Sequence, residues 1–292
     1  MEGQLLSWMY QRLLKSSSGI PRSDETFSDG LVALIFLYAC LSGRSPRWAC
    51  DKANWPLWVR RVEFPSYSQL MKRLKQPAVA RLIETLDAEL RGNLPSGLDK
   101  VFDGKPLTVG GFSKDPDAKR GHVPRGYAKG YKLHVIVDES SGKIDAFEVT
   151  PLNGGEPTAT LELLDKVDLK GCTARGDSNY DSNPLYAGVA DAGGKLIAPR
   201  KKPYTGLGHH PNHPDRLLAI RHLELGDLVL EDHETRRIAV EQALAHLTNL
   251  PFGLFSLPNF VRRLHRVKRW VAGKILLYHL YLNLILPKAE AA

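Results

Sequence analysis

Two aspartates in this chain directly follow short apolar segments that have the composition of β-strands. Asp103 follows Val101-Phe102, and Asp177 follows the segment GCTARG. In an α/β sheet, functional groups gather at the carboxyl ends of strands, where loops open a crevice. Two carboxylates on neighbouring strands offer the hard oxygen ligands that Mg²⁺ prefers and leave positions for waters and a phosphate. The pattern therefore predicts a metal site that contains both aspartates.

A third acidic ligand is expected from the helix that the segment TRRIAVEQALAHL predicts. Its apolar residues recur at intervals of three and four, which indicates one buried face. Glu241 lies one residue from that face and Arg237 lies one turn earlier, so Glu241 can reach the strand ends while Arg237 pairs with it or contacts a phosphate. Two metal ions held by these three acids would activate the attacking oxygen and stabilise the leaving oxygen in phosphodiester chemistry.

Other polar residues nearby allow different assignments. Glu231, Asp232 and Glu234 compete for the third-ligand position, but Glu241 alone has an arginine one turn before it and an amphipathic stripe after it. We interpret Asp181 as a cap or turn residue at the start of the next helix. The histidines of HHPNH suggest zinc, but the prolines and the loop composition favour a solvated or DNA-facing loop.

The elements that must position these residues form an α/β sheet. Strand-like alternation marks LDKVFDGKPLTVGG and GYKLHVIVDESSGKIDAFEVTPLN, and the second segment predicts a hairpin around Ser140-Ser141-Gly142. After it, TATLELLDKV and NPLYAGVADAGG are typical of helices, while GCTARGD and KLIAPRKK are typical of short strands. This order of three strands followed by alternating helices and strands predicts a mixed sheet with an antiparallel hairpin at its start.

Residues 1–94 have a helical pattern without strand-like alternation. Two helices joined by a turn that contains Gly43, followed by a basic helix with Lys72 and Arg73, resemble a helix-turn-helix module. We therefore predict that this region binds DNA. The Gly/Pro-containing segment RGNLPSGLDK predicts the boundary with a second domain, over residues 95–292.

Composition limits the class of protein. The 292 residues are 43% hydrophobic, which is ordinary for a protein with a core, and the net charge of +8 favours a polyanionic partner. Three scattered cysteines indicate a reducing compartment. The apolar segment WVAGKILLYHLYLNLIL carries a lysine and a histidine and is interpreted as a buried helix, not a membrane span, and the first residues lack a secretory signal.

Four segments together resemble the DDE transposases of bacterial insertion sequences, in the group that has a ribonuclease-H-like catalytic core. FDGKPLTV is similar to the first strand of that core and GYKLHVIVD to its second strand. RGDSNYDS resembles the D-x-x-Y-D segment, and RRIAVEQALAHL with the long helix after it resembles the R-x-x-x-E helix. The resemblance covers about residues 95–286.

The resemblance implies a ribonuclease-H-like mixed sheet flanked by helices. It matches Asp103 and Asp177 to the two metal-binding aspartates, Glu241 to the closing glutamate and Arg237 to its basic companion. It implies nicking at terminal inverted repeats that depends on two Mg²⁺ or Mn²⁺ ions, and joining of the freed strand end to target DNA. It further implies a homo-oligomer on the transposon ends, in the bacterial cytoplasm and at the nucleoid when acting.

Basic residues cluster around the predicted site and in the N-terminal region. Contacts between such residues and phosphates fix the register of bound DNA without reading its sequence. The predicted DNA-binding residues are Lys114, Lys119, Arg120, Arg125, Lys129, Arg200, Lys201, Lys202, Lys72 and Arg73.

Three alternatives to a transposase fit parts of the pattern. The first is a metal-dependent nuclease that hydrolyses DNA without joining it. The second is a non-catalytic DNA-binding protein derived from a transposase, although the presence of all three acids argues against it. The third is a nucleotide-binding α/β enzyme, which is disfavoured because no GxxxxGKS/T or GxGxxG motif follows a strand.

Overall fold

The computed structural model describes residues 1–23, 25–203, 206–207, 211–224 and 227–285. The chain divides into two compact units. We call them the helical unit, which comprises residues 1–94, 247–261 and 265 onwards, and the sheet unit, which comprises residues 95–246 and 262–264.

The helical unit is built from helices alone, in the part of the chain that is described. Its helices are α1 (Glu2–Leu14), α2 (Asp29–Leu41), α3 (Pro46–Ala49), α4 (Tyr67–Arg73), α5 (Pro77–Gly92) and nearly all of α10 (Leu264–Leu284).

Helix α2 lies at the centre of this unit, since nearly all of its residues are buried. Ser28 caps its first turn by accepting a hydrogen bond from the Leu31 N–H at 3.1 Å, as the sequence pattern suggests. Helix α10 packs closely on α2, because a Cβ at Gly273 would lie 2.8 Å from the Cys40 Sγ. The predicted domain of residues 95–292 included α10, whereas the structure groups this helix with the N-terminal helices because its apolar surface is buried there.

The predicted helix-turn-helix module requires a second full-length helix after α2, but the helix at this position is shorter. Helix α3 has only four residues, and a single 3₁₀ turn over Lys52–Asn54 follows it. Within residues 42–66, all of which the structure describes, no second full-length helix follows α2. The turn itself is as predicted, with Gly43 in the left-handed region at φ 60°.

A lysine is buried in the core of the helical unit. Lys274 on α10 is 3% exposed, and its Nζ donates hydrogen bonds to the backbone oxygens of Cys40 at 2.7 Å and Phe252 at 2.6 Å. The Nζ also lies 5.1 Å from the ring centroid of Trp270. Burial lowers the pKa of Lys274 from 10.5 to about 8.

We expect this lysine to make the stability of the protein depend on pH in the alkaline range. Between pH 8 and 10.5 the unfolded chain holds the proton and the folded chain has released it, so stability rises with pH. The neutral amine keeps two N–H groups for its two carbonyl partners. Relative to Lys274→Met, the wild-type free energy of unfolding should rise by about 1.4 kcal/mol per pH unit across this window. The measurement is denaturant unfolding at several pH values. If the free energy of unfolding changed equally with pH in the wild type and in Lys274→Met, the assignment would be contradicted.

The sheet unit contains a mixed six-stranded sheet with helices around it. Its elements are β1 (Asp99–Thr108), β2 (Lys119–Val123), β3 (Gly126–Asp138), β4 (Ile144–Pro151), α6 (Glu156–Leu164), β5 (Thr173–Arg175), α7 (Asn183–Asp191), β6 (Lys195–Ile197), α8 (Pro214–Leu223) and α9 (Asp227–Asn249), whose last turn belongs to the helical unit.

The strand order of the sheet is β4-β3-β1-β5-β6, and β2 pairs with the first part of β3. Strands β1, β3 and β4 are antiparallel neighbours, while β1, β5 and β6 run parallel. Apolar residues of the strands, α6 and α7 form its core, and they include Phe102, Ile136, Leu163 and Tyr186. The predicted α/β sheet with a helical N-terminal region is confirmed, and this mixed sheet agrees with a ribonuclease-H-like core.

The individual elements of this unit follow the sequence predictions closely. The β3–β4 hairpin turns at Ser140-Ser141-Gly142, with Gly142 at φ 68°, and the two short strands and two helices after it lie where their patterns place them. Two elements were not predicted, namely β2 and α8. None of the helices within the described residues combines the length and apolarity that a bilayer crossing requires.

Candidate active site

The parallel pairing of β1 and β5 brings Asp103 and Asp177 to equivalent positions. The last paired residues of the two strands are Val101 and Arg175, and each aspartate lies two residues beyond its member of that pair. The sequence placed Asp103 at the end of a strand, but β1 continues past it and stays paired with β3, where Val135 is opposite Asp103. Strand β5 ends at this level, while β1 continues past it.

A tight turn after β5 fixes the position of Asp177. The backbone at Gly176 passes so close to the ring of Tyr180 that a Cβ there would lie 2.7 Å from the ring carbons. Asp177 then caps the 3₁₀ turn Ser178–Tyr180, with its Oδ1 accepting the Asn179 N–H at 2.8 Å. The Asp177 side chain is half-buried, and its Oδ2 also accepts a hydrogen bond from the Asn179 Nδ2 at 3.3 Å.

Asp103 lies in a strongly electrostatic environment. Burial raises the pKa of Asp103 to about 6, the Gly104 N–H and the Arg237 charge lower it, and the Asp177 and Glu156 carboxylates raise it further. The backbone N–H of Gly104 is 2.7 Å from the Asp103 Oδ1. The charges of Asp177, Arg237 and Glu156 all act on Asp103, so these side chains lie near it.

Helix α9 reaches this site through a buried histidine. His233 is 2% exposed, and its Nε2 lies 3.2 Å from the backbone oxygen of Gly176, the residue before Asp177. Burial is the main cause that lowers the pKa of His233 to about 4, so the ring is neutral at pH 7 and its Nε2–H donates to that oxygen. Arg237 lies one turn further along α9, and its buried Nε has no hydrogen-bond partner among the residues that the structure describes. The guanidinium therefore retains donor capacity at the site.

The other edge of α9 is held by ion pairs away from the aspartates. Arg236 pairs with Asp232 at 3.1 Å and lies 3.6 Å from Glu139. Arg175 at the end of β5 is hydrogen-bonded to Asp99 at the start of β1. Arg236, which points about 100° away from Arg237 around the helix, is therefore held by Asp232 and Glu139.

This orientation separates the acids that compete for the third-ligand position. Asp232 belongs to the edge occupied by Arg236. Glu231 is exposed and projects from the outer face, whereas Glu234 and Glu241 lie near Arg237 by helical periodicity. Glu241 is exposed, and the structure does not bring it into the pair formed by the two aspartates.

The donor set fits a hard divalent cation. Among the described residues, no three His, Cys, Asp or Glu side chains form a group that could hold a metal ion. Mg²⁺ is nevertheless commonly bound through one or two carboxylates, with waters and substrate phosphates as the remaining ligands. Asp103 is half-buried near Asp177 and Glu156, and this concentration of negative charge is what a cation would neutralise.

Two residues of this site were missed in the sequence. Glu156 is 13% exposed, pairs with Lys132 at 2.8 Å, and its Oε1 would lie 2.9 Å from a Cβ at Gly104. Tyr180 is buried against Phe102, and its hydroxyl has no hydrogen-bond partner. Glu156 precedes the segment TATLELLDKV that predicted this helix, and only the packing of α6 on β1 places it here.

Asp181 has a structural role that differs in detail from the predicted one. Its side chain is 1% exposed and accepts hydrogen bonds from Arg216 Nε at 2.6 Å and Nη2 at 2.8 Å. It also accepts the backbone N–H of Lys201 at 3.1 Å. Asp181 therefore joins the segment after β5 to α8 and to the chain after β6. Asp177, four residues earlier, is the acid that remains available to the candidate site.

The predicted DNA-binding residues of the sheet unit are exposed or half-buried. The exposed ones are Lys114, Lys119, Arg120, Arg125, Lys201 and Lys202. Two others already have partners: the Nζ of Lys129 donates to the Ser113 oxygen at 2.7 Å, and Arg200 pairs with Glu224 at 3.1 Å. These two are less free to contact a phosphate.

In the N-terminal region, Lys72 and Arg73 differ sharply. Lys72 is exposed, whereas Arg73 is buried and donates hydrogen bonds to the Phe27 oxygen, Glu25 and Asp29 at 2.7, 2.8 and 2.6 Å. The Arg73 guanidinium is committed to the core, so we no longer include it among the DNA contacts.

The histidine-rich segment is only partly described. His209 and His210, for which zinc was considered, lie outside the described residues. His213 caps α8, with its Nδ1 accepting the Asp215 N–H at 3.3 Å. The described histidine of this segment is thus a helix cap.

Comparison with known proteins adds two findings. Residues 98–280 match the family model described as "Transposase DDE domain". Among solved structures, the chain is similar to a chain of the cryo-EM structure of the piggyBac transposase synaptic complex with hairpin DNA, with a TM-score of 0.52 and 11% sequence identity, over 96% of this chain and 71% of that chain. At this identity the likeness shows the fold alone. Among curated protein sequences, none matches at a significant level.

Proposed function

Because the chain belongs to the transposase DDE domain family, we propose that it cleaves DNA at the terminal inverted repeats of an insertion sequence and joins the freed strand ends to target DNA. The observation that carries this proposal is the equivalent placement of Asp103 and Asp177, two residues beyond the last pair of β1 and β5. A charged, half-buried carboxylate pair of this kind can hold the metal ions of phosphodiester chemistry. Such metal-dependent chemistry does not require a Ser, Cys or Tyr nucleophile.

Each residue of the site has a proposed role. Asp103 and Asp177 would hold Mg²⁺ or Mn²⁺, two ions in all, with Glu241 as the third carboxylate. When bound, such ions supply activation of the attacking oxygen and stabilisation of the leaving oxygen. Arg237, which has an unused donor, binds the scissile phosphate, because a guanidinium matches phosphate oxygens in geometry and charge. His233 fixes the distance between Arg237 and the Asp177 turn through its bond to Gly176.

The test uses the purified full chain and duplexes taken from the DNA that flanks its coding region on both sides. With Mg²⁺ or Mn²⁺ present, we expect nicks at inverted repeats in those flanks and covalent joining of labelled ends to a target plasmid. Cleavage without joining would favour the nuclease alternative. Binding without cleavage would favour a non-catalytic DNA-binding protein, and neither binding nor cleavage would reject the proposal.

The next prediction distinguishes the acids of α9 by their effect on DNA cleavage. Glu241→Gln is expected to lower the cleavage rate by roughly 100-fold or more, because it removes the proposed third carboxylate beside Arg237. Glu231→Gln is the matched control, since this acid is exposed on the same helix but projects away from Arg237. Rates are measured on supercoiled plasmid at fixed Mn²⁺ concentration. Should Glu234→Gln and not Glu241→Gln abolish cleavage, the third ligand lies about two turns earlier than Glu241, on the other side of Arg237.

A further inference from the structure

Strand β2 and the first part of β3 form a two-stranded ribbon over residues 119–130. The strands pair antiparallel, with Arg120 opposite Lys129 and His122 opposite Tyr127. A two-residue turn closes the ribbon between Val123 and Gly126. Because side chains alternate between the faces of a strand, these two pairs project from the same face.

The opposite face of the ribbon is packed against the rest of the sheet unit. Gly121 and Gly130 are buried on this face, and a Cβ at Gly121 would lie 2.5 Å from the backbone oxygen of Leu152. The Leu152 N–H also donates to the Gly130 oxygen at 3.1 Å. Close backbone contacts at these two glycines therefore fix the orientation of the ribbon on the sheet unit.

The outward face carries an aromatic pair in water. Tyr127 is 68% exposed, His122 is also exposed, and their ring centroids lie 4.1 Å apart. A cross-strand pair of this kind stabilises a ribbon modestly, by about 0.2–1 kcal/mol. The ribbon is already packed through its other face. This small gain in stability therefore does not explain why a large aromatic ring is exposed to solvent.

Exposed cations surround this pair. Arg120 lies on β2 on the same face as His122, and Arg125 lies in the turn next to Tyr127. Aromatic rings interleaved with cations form surfaces that bind single-stranded nucleic acid, since a base stacks on the ring while the cations contact the phosphates. Only a base outside a duplex stack has a face free for such a ring.

We propose that the ribbon of residues 119–130 binds single-stranded DNA, with an unpaired base stacked on Tyr127 and phosphates bound by Arg120 and Arg125. The inference rests on the proposed function, because strand cleavage and joining create unpaired ends. It adds a base-stacking contact to the phosphate contacts that the proposed function requires. The ligand is an unpaired nucleobase of either a purine or a pyrimidine, since every base has a stacking face.

The test is equilibrium binding of the full chain to a short single-stranded oligonucleotide that carries one 2-aminopurine. Tyr127→Ala is expected to weaken binding roughly 5- to 100-fold and to abolish quenching of the fluorescent base at saturation. Tyr127→Phe should retain both, because it keeps the ring. Arg120→Ala should instead reduce the salt dependence of binding by about one unit of slope and leave the quenching intact.

Phe255→Ala is the matched control, since Phe255 is an aromatic residue that is 78% exposed and lies outside the ribbon. Full quenching in Tyr127→Ala at saturation overturns the proposal, including when affinity falls, because a purely structural role would change affinity alone. Failure of the wild-type chain to bind the oligonucleotide also overturns it. Binding with quenching but without any DNA cleavage would reject the proposed function and leave the ribbon assignment standing.

Discussion

Asp177→Asn is expected to lower metal-dependent DNA cleavage by roughly 1,000-fold or more, while the fold and DNA binding remain. The substitution removes the negative charge that the proposed metal ions require. It preserves the shape of the side chain and one oxygen, so the capping bond to the Asn179 N–H can persist. Because the side chain is only half-buried and has no ion pair among its described contacts, its loss of charge has little effect on stability.

The matched control is Asp181→Asn, four residues further along the same segment. Asp181 is buried and bonded to the half-buried Arg216, so replacing it removes the negative charge that pairs with this cation, while the bond between Arg216 and Asn212 remains. We expect a loss of about 3–5 kcal/mol in the free energy of unfolding. Below its melting temperature this variant should still cleave DNA. We therefore expect Asp177→Asn to reduce DNA cleavage with little effect on thermal stability, and Asp181→Asn to reduce thermal stability with little effect on cleavage.

The assignment of Asp177 fails on either of two results. The first is wild-type cleavage by Asp177→Asn with Mg²⁺ or Mn²⁺ present. The second is a drop in stability that matches that of Asp181→Asn, which would make Asp177 a structural residue. Circular dichroism and a gel-shift measurement on each variant separate these results from a failure to fold or to bind DNA.

The sequence was sufficient wherever a local pattern specifies an element. The hairpin at Ser140-Ser141-Gly142 was predictable because two alternating strands flank a turn with a glycine. Strand β5 and the position of Asp177 were predictable because an apolar run ends at Gly176. The strand-end pattern related Asp103 to Asp177, and the parallel register of β1 and β5 places them level with each other.

The remainder depends on contacts between residues distant in sequence. Strand β2 has the sequence KRGHV, which lacks apolar alternation, and it forms because the polar backbone of β3 pairs with it. The position of α9 depends on His233, whose partner Gly176 is 57 residues away. Glu156 enters the site only through packing of α6 on β1. No window of sequence contains these relations, because each is a property of tertiary packing.

Lys72 and Arg73 show the same limit, since the two basic neighbours are indistinguishable by composition. Arg73→Ala is expected to lower the free energy of unfolding by about 3 kcal/mol, because it leaves Glu25 and Asp29 without the guanidinium that joins them. Arg22 also contacts Glu25, at 2.5 Å, and keeps the expected loss at the lower end of the range for buried pairs. The measurement is denaturant unfolding of each variant.

Lys72→Ala should behave in the opposite way, because Lys72 is exposed and bonded to nothing that its removal would strand. Its stability should stay within about 0.5 kcal/mol of wild type. If the N-terminal region binds DNA, this variant should weaken binding for all sequences alike and reduce the salt dependence by about one unit of slope. Equal stability losses in the two variants would contradict the buried position of Arg73. Unchanged DNA binding in Lys72→Ala would remove α4 from the DNA-binding surface and leave the sheet unit to supply it.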